Sequence, residues 1–230
     1  MILQIAVAEH PDSGRAQSEL ANLKYNRGDL EGALEHLSMA QQNSPREFGP
    51  VLHEIALRCT SGTEIQNLLD EAIIRAENYP VTAYSLNSID NLLVMLNESR
   101  CPEMDLDKLL SVIEAAESQP ENRQSTLPIG FLEKVKGQIY LLKGDYIKGI
   151  EFALSGYDKT GMTSILGNLT RNLIQLNLLG DAENIIRIME SINSESGGSE
   201  TALIEPLREQ LQSVITQQDL LDRQIETREL

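Results

Sequence analysis

Residues 15–45, RAQSELANLKYNRGDLEGALEHLSMAQQNSP, hold a spacing that suits two short helices folded back on each other. Leu20 and the small residue Ala21 sit where a first helix would be crossed closely by a second. Gly28-Asp29 ends that first helix, because glycine leaves the helical conformation at no steric cost. Ala33, Leu37 and Ala40 recur at the helical period and form the buried stripe of the second helix. The spacing also repeats: Leu3, Ala6 and Pro11 each precede Leu37, Ala40 and Pro45 by 34 residues. A period of that length marks a stacked repeat architecture, in which each helix pair buries its apolar face on the next. Residues 1–10 then read as the tail of a second helix whose own first helix is missing. Half a repeat cannot cover its apolar face, so the chain is expected to be a fragment of a longer protein.

The same punctuation divides the rest. Residues 49–80 form a second pair, with Leu52, Ile55, Ala56 and Cys59 on one stripe, a break at Ser61-Gly62, and Thr63 as the cap of the next helix. Residues 81–120 form a third, longer pair with its extra residues in the turn near Cys101-Pro102, where Asp105 can cap the second helix. SQPENRQSTLP (118–128) is polar and proline-bearing and reads as a loop or hinge. Residues 129–161 return to the opening spacing, with Gly137, Tyr140, Gly144-Asp145, Gly149 and Ala153 in matching slots. Residues 162–193 make a further pair, with Gly180-Asp181 read as its turn. SESGGSE (194–200) is a flexible connector. Residues 201–230 carry one long helix that caps the stack, its apolar face marked by Leu203, Leu207, Leu211, Val214, Leu221 and Ile225. Pro206 fits that helix only within the first turn. The expected fold is all-α, a solenoid of antiparallel helix pairs.

Composition agrees and narrows the function. Aromatic residues are 4% of the 230 and tryptophan is absent, which suits helices packed on leucine and alanine. The formal net charge of −16 argues against a nucleic-acid partner, which needs clustered Lys and Arg, and against an anionic membrane surface. No apolar run approaches the roughly 18 residues of a membrane span, so no direct insertion is expected from these residues. His10, His36 and His53 lack ligand spacing and read as solvent-facing helix residues, so no metal is expected. The glycines are spaced as helix turns rather than as a phosphate loop, and no carboxylate pair stands apart from the polar helix faces. Neither a catalytic site nor a cofactor is expected. Asn97-Glu98-Ser99 and Asn168-Leu169-Thr170 match the glycosylation tripeptide, but Leu169 reads as buried.

Two units, Arg15–Pro45 and Phe131–Gly161, resemble the tetratricopeptide (TPR) repeat, W-x2-L-G-x2-Y followed by A-x3-F and P. The slots here read Gln17, Leu20, Ala21 and Lys24, then Ala33, Leu37 and Pro45; Gln17 replaces the aromatic and Lys24 the tyrosine. The resemblance implies a binding scaffold whose first helices line a concave groove for a peptide or partner protein. Carried over by position, that groove presents Arg15, Ser18, Asn22 and Tyr25, then His53 and Thr60, then Phe131, Lys134, Gln138 and Leu141. The paired asparagines and cations that grip a peptide carboxylate in chaperone-binding relatives are incomplete. The turn Arg-Cys-Pro-x-Met-Asp (100–105) is similar to TPR regions that follow a multi-spanning membrane domain in some bacterial proteins, including ones tied to surface-glycan assembly. That resemblance implies a domain attached to a membrane segment upstream, with chemistry elsewhere in the chain. Compartment stays open between cytoplasm and periplasm. Cys59 and Cys101, 42 apart, fall at the ends of neighbouring first helices and come within disulfide reach; the plainer reading of Cys59 is a buried thiol on an apolar stripe.

Overall fold

The computed structural model describes residues 9–59, 65–97, 101, 104–123, 126–195 and 200–226. Among these the chain is all-α. Its helices are α1 (Gly14–Tyr25), α2 (Leu30–Asn43), α3 (Gly49–Arg58), α4 (Ile65–Asn78), α5 (Ala83–Asn97), α6 (Leu106–Ser118), the single turn α7 (Pro120–Arg123), α8 (Thr126–Leu142), α9 (Tyr146–Thr160), α10 (Thr163–Gln175), α11 (Leu179–Glu195) and α12 (Thr201–Glu226). One row is formed by α1, α3, α5, α8, α10 and α12, each packed on the next. Behind it α2, α4, α9 and α11 pack on α1, α3, α8 and α10. The expected helix tail at 1–10 lies almost wholly outside the described residues, as do Ser61-Gly62, the Thr63 cap and most of the 194–200 connector.

Three hairpins turn by the same backbone device. Gly28 and Gly144 adopt φ of +83° and +81°, and Asn177 adopts +60°. In each, the following amide reaches back five residues: Asp29 N to Lys24 O at 3.0 Å, Asp145 N to Tyr140 O at 3.0 Å, Leu178 N to Leu173 O at 2.9 Å. This satisfies helix-end carbonyls that would otherwise be orphaned. The turn expected at Gly180-Asp181 is therefore corrected to Asn177; Gly180 and Asp181 already belong to α11. Asparagine tolerates the left-handed region better than most residues and stands in for glycine here. After the first two turns an aspartate caps the next helix, Asp29 accepting from Gly32 N at 2.9 Å and Asp145 from Lys148 N at 3.3 Å.

Small residues set how closely the pairs pack. A Cβ on Gly137 would stand 2.7 Å from Gly149 O, and one on Gly156 would stand 2.6 Å from Gly130 O. The backbones of α8 and α9 thus touch at two levels seven residues apart on each helix. Tyr140 and Phe152 stack across the same pair, ring centres 5.4 Å apart. In the first pair Ala21, Ala33 and Leu37 are fully buried together. Gln17, in the slot where the repeat pattern has an aromatic, is buried as well and acts as a polar latch. Its Nε2 donates to Pro11 O at 2.9 Å, and its Oε1 lies 2.7 Å from His36 Nδ1. Lys24, in the tyrosine slot, pairs with Asp29 at 3.4 Å.

The third pair is built differently. Among the described residues α5 packs on α3 and α6 on α4, rather than on each other. Cys59, at the end of α3, is bonded to Cys101, just beyond α5, with 4.7 Å between their Cα atoms. Both lie in the central core with Leu92, Met104 and Ile113, so the plainer reading of Cys59 as a free buried thiol is corrected. Part of the segment 118–128, read as a loop or hinge, is helical among the described residues. Pro120–Arg123 coils into α7, and buried Asn122 donates to Ala116 O at 2.7 Å while accepting from Val81 N at 3.0 Å.

At the far end α12 packs on α10 and α11 through buried Ile204, Leu207 and Leu211. Val214 is half-buried there, while the side chains of Leu221 and Ile225 lie outside the described ones. Pro206 is the sixth residue of α12, in its second turn, which corrects the first-turn expectation. It lies on the exposed side, so the Ala202 carbonyl that loses its amide partner faces water.

Two stability tests follow from this packing. Gly137→Ala places a methyl against Gly149 O and is expected to cost about 1–3 kcal/mol, as is Ala21→Leu, by overpacking. Gly180→Ala, with nothing within 4 Å of its Cβ, should be neutral or slightly stabilising. Urea denaturation of the three variants decides; equal midpoints for Gly137→Ala and the parent would refute the close crossing. Ending the chain at Ser194 uncovers the apolar faces of α10 and α11, and sedimentation should then show association. A truncated chain that stays monomeric at undiminished stability would remove the covering role of α12.

Candidate functional site

The row of first helices is open in one half and filled in the other. Where α1, α3 and α5 meet, Ser18 and His53 are buried, and the Tyr84 ring lies over Gly49, whose Cβ would stand 2.9 Å from Tyr84 Cδ1. Ser18 Oγ and the Tyr84 hydroxyl are buried close to each other, without a hydrogen bond of good geometry. Burial pushes the Tyr84 phenol up to about 12 and the His53 imidazole down to about 4, because both charged forms lose hydration. These groups close the surface rather than offer it.

Between α5, α8 and α10 the row opens into a recess of about 350 Å³, continued by one of about 220 Å³. The walls follow the helical period. Asp90, Asn91, Val94 and Asn97 face it from α5, Lys134 and Gln138 from α8, and Asn168, Arg171, Asn172 and Gln175 from α10. Leu93 and Leu141 form its floor and are nearly fully buried. Lys134 pairs with Asp90 at 2.7 Å and lies 4.7 Å from the centre of the Phe131 ring, so its charge is already engaged. Arg171 Nη1 donates to Asn168 Oδ1 at 2.6 Å, and Asn97 Nδ2 makes a long 3.5 Å contact with Asn172 Oδ1.

The residues expected to line a groove divide accordingly. Lys134 and Gln138 line the recess, and Phe131 stands beside it under Lys134. Leu141 lies in its floor at 3% exposure. Ser18 and His53 are corrected to buried positions. The first helix carries Arg15, exposed, and half-buried Asn22 and Tyr25, with Tyr25 packed on the Ala21–Leu37 cluster. Thr60 lies outside the described residues. His36 is corrected too, since it is half-buried against Gln17 rather than solvent-facing. The α5 and α10 walls were missed because the motif is degenerate in those helices. The signal that could have found them is an amide stripe, Asn168, Asn172 and Gln175, at i, i+4 and i+7.

Asn168 belongs to one glycosylation tripeptide, but Thr170 of that tripeptide is buried within α10 and donates to Leu166 O at 2.9 Å. A second cleft of about 370 Å³ lies between α11 and α12, where Glu183 with Arg187 and Glu190 with Arg208 neutralise each other. Among the described residues no group of His, Cys, Asp and Glu could hold a metal ion, and no helix is long and apolar enough to cross a membrane. No family model matches the chain, and no curated protein matches it.

The buried histidine has a measurable consequence. A folded-state value near 4 lies below the ordinary 6.5, so between those limits the unfolded chain binds the extra proton. Stability is therefore expected to fall as pH drops from about 6.5 towards 4. Burial also lowers the His36 value, which acts in the same direction. Urea midpoints measured from pH 7 to pH 5, above most carboxylate titration, should decline less for His53→Gln than for the parent. Parallel declines would place His53 in water.

Proposed function

We propose that this chain is a TPR-type solenoid that works as a protein-interaction scaffold, taking a peptide or partner protein along its row of first helices and performing no catalysis itself. The observation that supports this is the recess on α5, α8 and α10. It is a continuous surface of mixed polar and apolar character built by three successive first helices. Its side chains offer hydrogen bonds from all three helices. The test compares partners captured by the full chain with those captured by Val94→Arg. Val94 is 54% exposed on the recess wall, so arginine there obstructs it without disturbing the core. A partner retained by the parent, and confirmed with purified components, should be lost from the variant. Retention of every confirmed partner by Val94→Arg would refute the recess as the binding surface.

A second reading is favoured by the disulfide. Cys59–Cys101 suits an oxidising compartment such as the periplasm. That agrees with a domain of a larger membrane-anchored bacterial protein, including one of surface-glycan assembly, in which the solenoid positions partners for chemistry lying elsewhere. Alkylation of thiols in intact source cells before lysis, followed by peptide mass measurement, should find both cysteines unlabelled. Reduction of the purified protein should then cost about 2–4 kcal/mol of stability. Two alkylated cysteines would sink the oxidising-compartment reading and leave the scaffold reading untouched.

A further inference from the structure

Ile204, Leu207, Leu211 and Val214 of α12 follow one another at alternating intervals of three and four residues, and the sequence continues that spacing through Gln218, Leu221 and Ile225. Such a stripe is the narrow seam of a coiled coil. The body of the protein covers its first part. Thr163 Oγ1 donates to Glu200 Oε2 at 2.8 Å, and a Cβ on Gly167 would stand 3.2 Å from Leu203 Cδ1, so α10 runs parallel to α12. The same offset puts Gln175, the last residue of α10, level with Leu211. The opposed helix α11, tied to α12 by Glu190 and Arg208, has its first turn near Ile215 and Asp219. Burial fades accordingly, while the helix runs on to Glu226. Ile204, Leu207 and Leu211 are buried, Val214 and Ile215 are half-buried, and Thr216 through Leu220 are exposed, Leu220 at 54%. A helix end of about 15 residues standing alone in water is marginal.

We infer that this free end of α12 pairs with the same segment of a second copy of the chain, antiparallel about a twofold axis. The direction follows from α10, which occupies the seam side of α12 as far as Leu211. A second α12 running the same way would collide with α10, whereas one running the opposite way enters from the open end. The occupant follows from the spacing, because intervals of three and four read the same backwards. In the opposed pair Val214 meets Ile225 of the second copy, and Gln218 meets Leu221 of the second copy. Both ends of the overlap are then apolar, and the two Gln218 carboxamides lie one layer apart beside the twofold axis, where they can bond to each other. The flanking positions bring Gln217 to Gln224 and Ile215 to Asp222. Two chains that each carry a net charge of −16 thus meet along the seam without a like-charged pair. The same patch serves both copies, so the pairing closes at two. Four seam layers over about 20 Å of helix fall short of the ~1,200 Å² at which stable complexes begin. The dimer is therefore weak, with a Kd on the order of 10–100 μM.

Sedimentation equilibrium of the full chain, from about 5 to about 500 μM, is the test. The parent should pass from monomer to dimer and stop there. Leu221→Glu and Ile225→Glu should each raise the Kd at least about tenfold, and their thermal melts should match the parent because both positions lie beyond α10 and α11. Gln218→Leu should tighten the dimer about tenfold or more, since a polar seam residue costs stability. Leu220→Gln, off the seam, should leave the Kd within about twofold. X-ray scattering from the dimer should place the two bodies on opposite sides of the junction. A chain that stays monomeric at the highest concentration would overturn the inference. So would a dimer that tolerates Leu221→Glu, one that is lost on Leu220→Gln, association that proceeds past two copies, or bodies lying side by side.

Discussion

The contact between the backbones of α8 and α9 holds the two halves of this molecule in register. Gly130 and Gly137 face Gly156 and Gly149 so closely that no Cβ fits between them without a shift. Such an approach gives strong dispersion contact, and its geometry admits little adjustment. The same helix supplies both neighbouring cores. Leu132, Val135 and Ile139 of α8 belong to the central cluster, and Leu141 belongs to the cluster shared with α10, α11 and α12. Loosening α8 from α9 would therefore unsettle both sides at once. Lys136, buried at 8% exposure, adds a polar tie from α8 by pairing with Glu117 of α6 at 2.9 Å and lying 4.5 Å from the centre of the Phe152 ring.

The third pair depends on a different constraint. With α5 and α6 packed on the preceding helices rather than on each other, their connection is tied to the end of α3 by the Cys59–Cys101 bond. A covalent link of this kind acts chiefly by restricting the unfolded chain. Asn97 and Val94 lie on the last two turns of α5, so the bond and the recess share one helix end. The filled half of the row, with Ser18, His53 and Tyr84 turned inward, then confines the open surface to α5, α8 and α10.

Much of the fold was legible because helix pairing leaves local marks. Ala33, Leu37 and Ala40 fall on the buried face, and Asp29 and Asp145 cap the helices after their glycine turns. Local chemistry misled where a residue had an unusual substitute. Asn177 takes the turn in place of a glycine, three residues before Gly180, and Pro206 sits in the second turn of α12 on its water-facing side. The surface was less legible than the core. Burial of Leu37 follows from periodicity alone, whereas burial of His53 depends on how α1, α3 and α5 fit together.

The sequence by itself determined that the chain would be helical, where most helices begin and end, and which stripe of each is apolar. Those features arise from interactions among residues a few positions apart, which periodicity and capping record. Only the tertiary structure decided which part of the first-helix row stays open, which amides share a wall, and whether Cys59 meets Cys101. Each depends on the offset between helices distant in sequence. That offset is set by side-chain volumes meeting across an interface, as at Gly137 and Gly149, and no single helix encodes it.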